Sequence, residues 1–529
     1  MARFSRRDLL ERGALLAGGL AAARVLTACG GSTSTSASAA DLRDLGSALN
    51  GRLILPGAGG FEAASRVWNS RFDDVRPVAV AEVVDARDVR TAIDFARGHG
   101  LRVVPRNGAH SFAGYSTGDG LIVDVTGLSG VAVDAKAERA RLGAGATVLP
   151  TYRALWPHRR AISGGTCPTV GVTGLSAGGG LGVLSRRDGL TCDRLTGVEM
   201  VTADGKLLRA SERENADLYW ATRGGGGGNF GVITALTFEL VPVDVPFTHA
   251  EYVFPWHAAE AVLNAWQDWL PTSPRETWSA VEVLTQAPDD GTTPTIELEV
   301  VNAGTPAATE RIVADLLGAV GVAPIQSDVH SGPFVDTERD FYCKGLRPDE
   351  CSLAGKTPAG EFPRAALYAK SDVARGPWPA DGVSALMEGM RRRQQDRTLT
   401  PRNFSPAHTV GKLIIEAADG AVNSIPADAT AFVHRDNLFV VQYQARWRRT
   451  APDSVAAANI EWANDLYERT KAYRSGFAYQ DYIDPELSDW ERAYYGGNLS
   501  RLRRIKSKYD PQNFFRFPQS IPPTGPSDA

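Results

Sequence analysis

The segment "PRNGAHSFAGYSTGDGLIVDV", residues 105–125, sets one histidine, His110, among small residues directly ahead of an apolar strand. Arg106, Asn107, Gly108, Ala109 and Ser111 surround it. Consecutive backbone N–H groups with little side-chain cover have the composition of an anion-binding nest. Taken alone, the histidine could be loop polarity, a metal ligand, a general base or an attachment point for something the glycines hold. A metal ligand fits poorly, because no His, Cys or carboxylate stands at ligand spacing and the four-ligand patterns are missing from the chain. A second glycine-rich segment, "GGTCPTVGVTGLSAGGGLGVLSRRDGLTCDRL" (164–195), provides a longer loop that runs toward a short helix. Two such nests in one domain point to a dinucleotide carrying a pyrophosphate. The Rossmann pattern explains them badly: the run Gly178 to Gly182 follows no clear apolar strand and has no acidic residue at the expected distance. "GLSAG" (174–178) fits G-x-S-x-G around Ser176, but the strand that precedes a nucleophile elbow is missing.

The chain around these loops has 529 residues, a length that suggests two to four domains. Apolar residues at 43% and charged residues at 22% suit large folded cores. A net charge of −4 leaves no basic excess to neutralise phosphates, which argues against nucleic-acid binding. Residues 1–29 read as an export signal, with the twin arginine Arg6-Arg7, a short Ala/Gly-rich apolar run, and Leu26-Thr27-Ala28-Cys29 as a lipobox. The expected location is therefore outside the cytoplasmic membrane, either held to its outer face by a lipid anchor at Cys29 or, alternatively, secreted. The Gly/Ser/Thr-rich composition that follows suggests a flexible tether over 30–48. Of the remaining cysteines, Cys343 and Cys351 flank a turn-forming segment and could form a disulfide or remain two thiols. Cys192 reads as a buried thiol.

Residues 76–111 read as strand, helix, strand, loop. "LTGVEMVTADGKLLRAS" reads as a hairpin turning at Asp204-Gly205. Near 245 the texture changes to strand-like runs alternating with Ala/Leu-rich helices, the pattern of a sheet covered by helices on one side. From about 451 the chain returns to helices and an irregular C-terminal stretch.

The two glycine segments resemble the berberine-bridge-enzyme-like flavin oxidases of the vanillyl-alcohol-oxidase superfamily. The resemblance continues through "RGGGGGNFGVITALTFEL", "GAVNSIPADATAFVHRDNLFVVQY" and "YYGGNLSRLRRIKSKYDPQNFFRFPQSIPP", in family order. It implies an α+β fold: a two-subdomain FAD-binding domain of the PCMH type (49–244), an inserted antiparallel-sheet substrate domain covered by helices (245–450), and a C-terminal segment (451–529) completing the FAD domain. It further implies FAD attached twice, at His110 and at Cys167. Arg106, Asn107, Gly108, Ala109, Ser111, Thr169, Gly171, Gly174, Gly231, Val232 and Asp481 would line the cofactor. An imidazole nitrogen and a thiolate are side chains able to add to an electron-poor ring.

In the family the second tyrosine of Y-x-N-Y-x-D removes a proton from the substrate hydroxyl. Here the motif reads "YQDYID", so the resemblance implies Tyr482 as base with Tyr479 beside it. Asp481 departs from the family Asn, and a carboxylate there would raise a neighbouring tyrosine's pKa. The strand "NLFVVQYQARW" alternates, placing Val440, Gln442 and Gln444 on one face, with Gln442 available to a substrate hydroxyl. Plant relatives carry an acidic residue near this place. This chain shows only aliphatics and Gln there, which disfavours a strongly basic amine substrate. Phe112 stands where several relatives have Tyr, and Val170 occupies a position where a small residue favours access of molecular oxygen. The expected activity is oxidation of a hydroxyl, on a carbohydrate or a secondary-metabolite alcohol, with reduction of O2 to hydrogen peroxide. A dehydrogenase passing electrons to a quinone, and a non-catalytic flavin-containing lipoprotein, are the alternatives.

Overall fold

The computed structural model describes residues 37–286, 293–396 and 409–525. The expected export signal and Cys29 lie outside the described residues. Residues 37–525 fall within one compact unit.

The first subdomain is a four-stranded sheet of β1 (Arg52–Ile54), β2 (Ala79–Glu82), β3 (Val103–Arg106) and β4 (Leu121–Asp124), in the order β1-β2-β4-β3. β2, β3 and β4 run parallel, and β1 pairs antiparallel on the edge. The helix Ala86–Gly98 joins β2 to β3; Asp85 caps it by accepting from the Asp88 N–H, and Val89, Ala92, Ile93 and Ala96 face the core. The loop carrying His110 leaves the carboxyl end of β3, where ligands gather on parallel sheets.

The second subdomain is an antiparallel sheet of β5 (Val131–Asp134), β6 (Arg139–Gly143), β8 (Leu195–Val201), β9 (Leu207–Ala210) and β10 (Val232–Glu239), ordered β5-β6-β10-β8-β9. The expected hairpin is its β8–β9 pair, with Gly205 at φ 79° in the turn. A short pair, β7 (Arg160–Ala161) with β11 (Val241–Pro242), closes this part.

Seven antiparallel strands form the third sheet: β12 (Phe247–Pro255), β13 (Thr277–Gln286), β14 (Thr295–Asn302), β15 (Gln326–Gly332), β16 (Ala366–Ala374), β17 (Thr409–Ala417) and β18 (Phe439–Trp447). Their order is β15-β12-β14-β13-β17-β18-β16. Helices Ala259–Trp269, Pro306–Val320, Ala380–Gln395 and Asp453–Arg469 pack on the sheet, the expected α+β arrangement. The helix Phe334–Cys343 instead packs against the helix Val148–Leu155 of the second subdomain and the β12–β15 edge. It ends in a disulfide between Cys343 and Cys351.

Two expectations need correction. Residues 39–48, read as tether, form a helix. Ser38 and Asp41 make a reciprocal capping box at its start, and Leu42, Leu45 and Leu49 recur at helical spacing, Leu45 at 2% exposure. The Ser/Thr run before it masked that spacing. The helix Asp453–Arg469, placed in the C-terminal completion of the FAD domain, instead covers β16 and β18 and packs on Ala380–Gln395. Residues 419–437 already bond to the second subdomain and its glycine loops, through Asp419 to Arg186 and Arg435 to Asp193, and the C-terminal segment joins them at Tyr479, whose hydroxyl receives the Gly180 N–H.

Candidate active site

Backbone proximity builds the first half of the site. The 107–111 loop lies directly against 167–171. A Cβ on Gly108 would stand 2.2 Å from the Gly171 nitrogen, and one on Gly171 would stand 1.7 Å from Asn107 Oδ1. Only glycine permits that approach. Ala109 takes φ 61°, a left-handed conformation uncommon for a residue with a Cβ, and its carbonyl accepts the Trp68 N–H at 3.0 Å. The Trp68 ring then stacks on His110 with centroids 4.9 Å apart. On its other side, His110 Nε2 lies 2.7 Å from Thr169 Oγ1. Burial pushes the His110 pKa down to about 3, so the imidazole is neutral and keeps a nitrogen lone pair. Cys167 shares this loop. Burial raises its thiol to about 11, opposed by the Thr169 backbone and hydroxyl, the Val170 N–H and the charge of Arg446. Val170 is half-buried beside it, its N–H donating to the Cys167 carbonyl.

Other residues expected at the cofactor divide into two groups. Gly174 faces open space, and a Cβ on Gly227 would lie 3.9 Å from its Cα, so two glycine segments leave room between them. Asn107 Oδ1 is buried without a hydrogen-bond partner. Arg106, by contrast, is sealed beneath the loop, 2% exposed, bonded to Asp124 at 2.8 Å and to the Ala64 carbonyl at 2.5 Å. Ser111 Oγ accepts the Tyr115 N–H and shapes the turn. Gly231 leads into β10, which begins at Val232, and both lie against Met200 and Val201 of β8. None of these contacts joins Gly231 or Val232 to the His110 loop. Ser176 is 1% exposed and donates to the Val172 carbonyl at 2.7 Å, an arrangement without a nucleophile's access.

The third sheet supplies the second half. Its β17–β18 register sets Glu416 opposite Val440, Ile414 opposite Gln442 and Lys412 opposite Gln444. Glu416, Lys412, Gln442 and Gln444 therefore share one face. Glu416 is the acidic residue that reading β18 by itself missed; it comes from the neighbouring strand. Tyr482 Oη donates to Glu416 Oε1 at 2.5 Å. Burial lifts the Glu416 pKa to about 7, partly opposed by that hydrogen bond. Burial, then the charge of Glu416, raises the Tyr482 phenol well above its ordinary value. Phe112 packs edge-on between Trp68 and Tyr482, at 5.3 and 5.6 Å.

Tyr479 and Asp481 form a separate unit. Tyr479 Oη accepts the N–H groups of Gly180 and Leu181 at 2.9 and 3.1 Å and donates to Asp481 Oδ2 at 2.7 Å. Asp481 therefore engages Tyr479, and the carboxylate that acts on Tyr482 is Glu416. Burial raises Asp481 to about 7, against the bonds from Tyr479 and Gly180. A Cβ on Gly178 would collide with its Oδ1 at 1.9 Å. The motif's first tyrosine thus ties down the glycine loop. Gln442 is 2% exposed; its Oε1 receives the Gln444 amide, and its Nε2 has no partner. Among the described residues no group of His, Cys, Asp and Glu is placed to hold a metal ion.

Close-packed glycine loops, a neutral imidazole and a thiol on adjacent strands of backbone, and unpartnered amides at Asn107 and Gln442 fit a bound dinucleotide. Residues 77–211 match the family model of an FAD binding domain, and residues 478–522 match the model described as berberine and berberine like. An uncharacterized FAD-linked oxidoreductase of Bacillus subtilis (strain 168) is 31% identical, over 90% of this chain and 99% of its own length. A xylooligosaccharide oxidase of Thermothelomyces thermophilus is 29% identical, over 84% of this chain and 87% of its own. The solved structure of berberine-bridge-enzyme-like 1 from Physcomitrella patens superposes with a TM-score of 0.80 at 29% identity, covering 92% of this chain and 99% of that one.

Proposed function

Because the chain belongs to the berberine-bridge-enzyme-like FAD-linked oxidoreductases, we propose that it oxidises a hydroxyl of a carbohydrate or related alcohol, with FAD bonded to both His110 and Cys167. The observation that carries the reading is the Tyr482–Glu416 pair beside the open amide of Gln442. Gln442 Nε2 donates to the substrate oxygen and orients the hydroxyl toward Tyr482. A phenol whose pKa is raised is a poor free base. Tyr482 therefore accepts the substrate proton at Oη as its own proton passes to Glu416 Oε1. A carboxyl poised near 7 is ionised enough at neutral pH to take it. The chemistry FAD supplies when bound is acceptance of the hydride and delivery of the electron pair to dioxygen, giving hydrogen peroxide. His110, clamped between Trp68 and Thr169, and Cys167, two residues before Thr169, are the residues that would hold the cofactor. The small side chain of Val170 beside Cys167 supports dioxygen as acceptor.

The xylooligosaccharide oxidase among the relatives supports a carbohydrate substrate. The N-terminal sequence supports export by the twin-arginine route and lipid attachment at Cys29, placing the enzyme on the outer side of the cytoplasmic membrane. An anaerobic screen of mono- and oligosaccharides and alcohols, followed by bleaching of the flavin absorbance, tests the activity. At least one carbohydrate should bleach the flavin and, in air, yield hydrogen peroxide. No bleaching by any hydroxyl compound would overturn the reading.

A further inference from the structure

Residues 67–69 form a strap that ties the His110 loop to the third sheet. The Val67 carbonyl accepts Arg364 Nε and Nη2 at 2.8 and 2.5 Å. The Trp68 N–H donates to the Ala109 carbonyl at 3.0 Å. Asn69 is fully buried. Its Nδ2 donates to the carbonyls of Phe112 and Leu367, and its Oδ1 accepts the Leu367 N–H, each at 3.0 Å. Leu367 lies on β16, the edge strand of the sheet. The backbone around Trp68 is therefore fixed twice, to the loop that carries His110 and to the substrate sheet.

The Trp68 indole is only half-buried at the margin of the core. It lies nearly parallel to the His110 imidazole, with centroids 4.9 Å apart and 18° between the planes. Thr169 Oγ1 meets His110 Nε2 at 2.7 Å. The two neighbours constrain the ring differently. Thr169 pins one nitrogen and sets how the ring is turned within its plane, whereas Trp68 sets the plane itself. The distinction matters for bond formation, because the lone pair of a neutral imidazole nitrogen points along the ring plane. An imidazole held at one atom can still tilt about that contact and aim the lone pair above or below its target. Stacking contributes only about 0.5–1.5 kcal/mol beyond the area it buries. Misplacing a reacting atom by about 1 Å, however, costs about 10²-fold in rate.

We propose that Trp68 is a positioning residue for covalent attachment of the flavin at His110, holding the imidazole plane so that the nitrogen not engaged by Thr169 faces the flavin methyl group. This rests on the two-bond reading above and adds the residue that makes the histidine competent. Attachment replaces a C–H bond of that methyl group by a C–N bond to the imidazole. The methyl proton and the imidazole proton leave, and the electron pair reduces the flavin. Dioxygen then takes the pair with two protons as hydrogen peroxide. None of the described contacts joins Trp68 to Cys167, so the second bond forms without the indole.

The test follows attachment site by site. With Cys167→Ala as the parent, the intact mass of the denatured chain is measured at intervals after expression is induced. The parent should gain one FAD. Adding Trp68→Phe, which keeps an aromatic face, should leave the rate of that gain within a few-fold, and adding Trp68→Leu should slow it about 10²-fold. In the chain that retains Cys167, Trp68→Leu should still carry one FAD, and peptide mapping should find it on the Cys167 peptide alone. A chain flavinylated at Cys167 has folded, so this second measurement separates attachment from folding. Gain of FAD by the Trp68→Leu chain at the parent's rate would overturn the role. So would flavin on neither peptide, which would place the part of Trp68 in the fold and not at His110. A bare Cys167→Ala parent would contradict the two-bond reading itself, and the role of Trp68 with it.

Discussion

Two buried charged regions of this protein are built on opposite principles. At the C-terminal end, Lys506 is fully enclosed, and its ammonium donates to the carbonyls of Asn229 and Phe515 and to Asp510 Oδ2 at 2.6–2.7 Å. Asp510 in turn receives the N–H groups of Phe514 and Phe515. Each of the three donors of Lys506 is met, and the cluster staples the last segment to the 225–231 glycine loop. On the inner face of the third sheet, Glu416 shares one short bond with Tyr482, and Gln442 has a vacant donor. Complete pairing fixes a structure and leaves nothing to react. Incomplete pairing keeps groups available to a substrate, at a cost in stability that the surrounding sheet must offset.

The sharpest way to break this contrast is to exchange the expected phenotypes. Tyr482→Phe should slow flavin reduction by about 10²–10⁴-fold, the range for loss of a positioned acid or base, with little change in Tm. An unimpaired rate would remove Tyr482 from the proton path. Lys506→Met should do the reverse, destabilising the fold by about 3–5 kcal/mol because it leaves Asp510 buried without its cation. Denaturant unfolding measures that loss, and turnover per folded, flavin-loaded molecule should stay near wild type. Glu416→Gln sharpens the comparison further. The acceptor must be ionised, so kcat/KM in wild type should rise with pH through about 7, the value to which burial lifts Glu416. The variant should lose that limb, while a limb that persisted would assign it to another group. Asp481, also raised to about 7, is the internal control, since it faces Tyr479 and its change to Asn should leave the limb in place.

The same contrast explains what could be read from the chain. The His110 and Cys167 loops were legible because their chemistry is local: small residues, glycines and one reactive side chain each stand within a few positions. Tyr482, Tyr479 and Asp481 were found through a short motif, but which of them interact was not, since Tyr479 turns to Gly180 and Tyr482 to Glu416. Glu416 itself lies 66 residues from Tyr482 and is delivered by the register of β17 against β18, which no single strand reveals. Trp68 reaches His110 through a backbone bond to Ala109 across 41 positions, with no periodic signal. The helix at 39–48 was readable in Leu42, Leu45 and Leu49, yet the tether-like composition ahead of it dominated. That Asp453–Arg469 packs on β16 and β18 depends on tertiary docking, because its apolar pattern serves either neighbour equally well.

The central claim is that one cofactor is fixed to the chain at both glycine loops. Intact-mass measurement of the purified protein after full denaturation tests it most directly. The account predicts a chain heavier by one FAD in wild type, in His110→Ala and in Cys167→Ala, and a bare chain in the double variant. A bare wild-type chain, with the flavin released into solution, would contradict it.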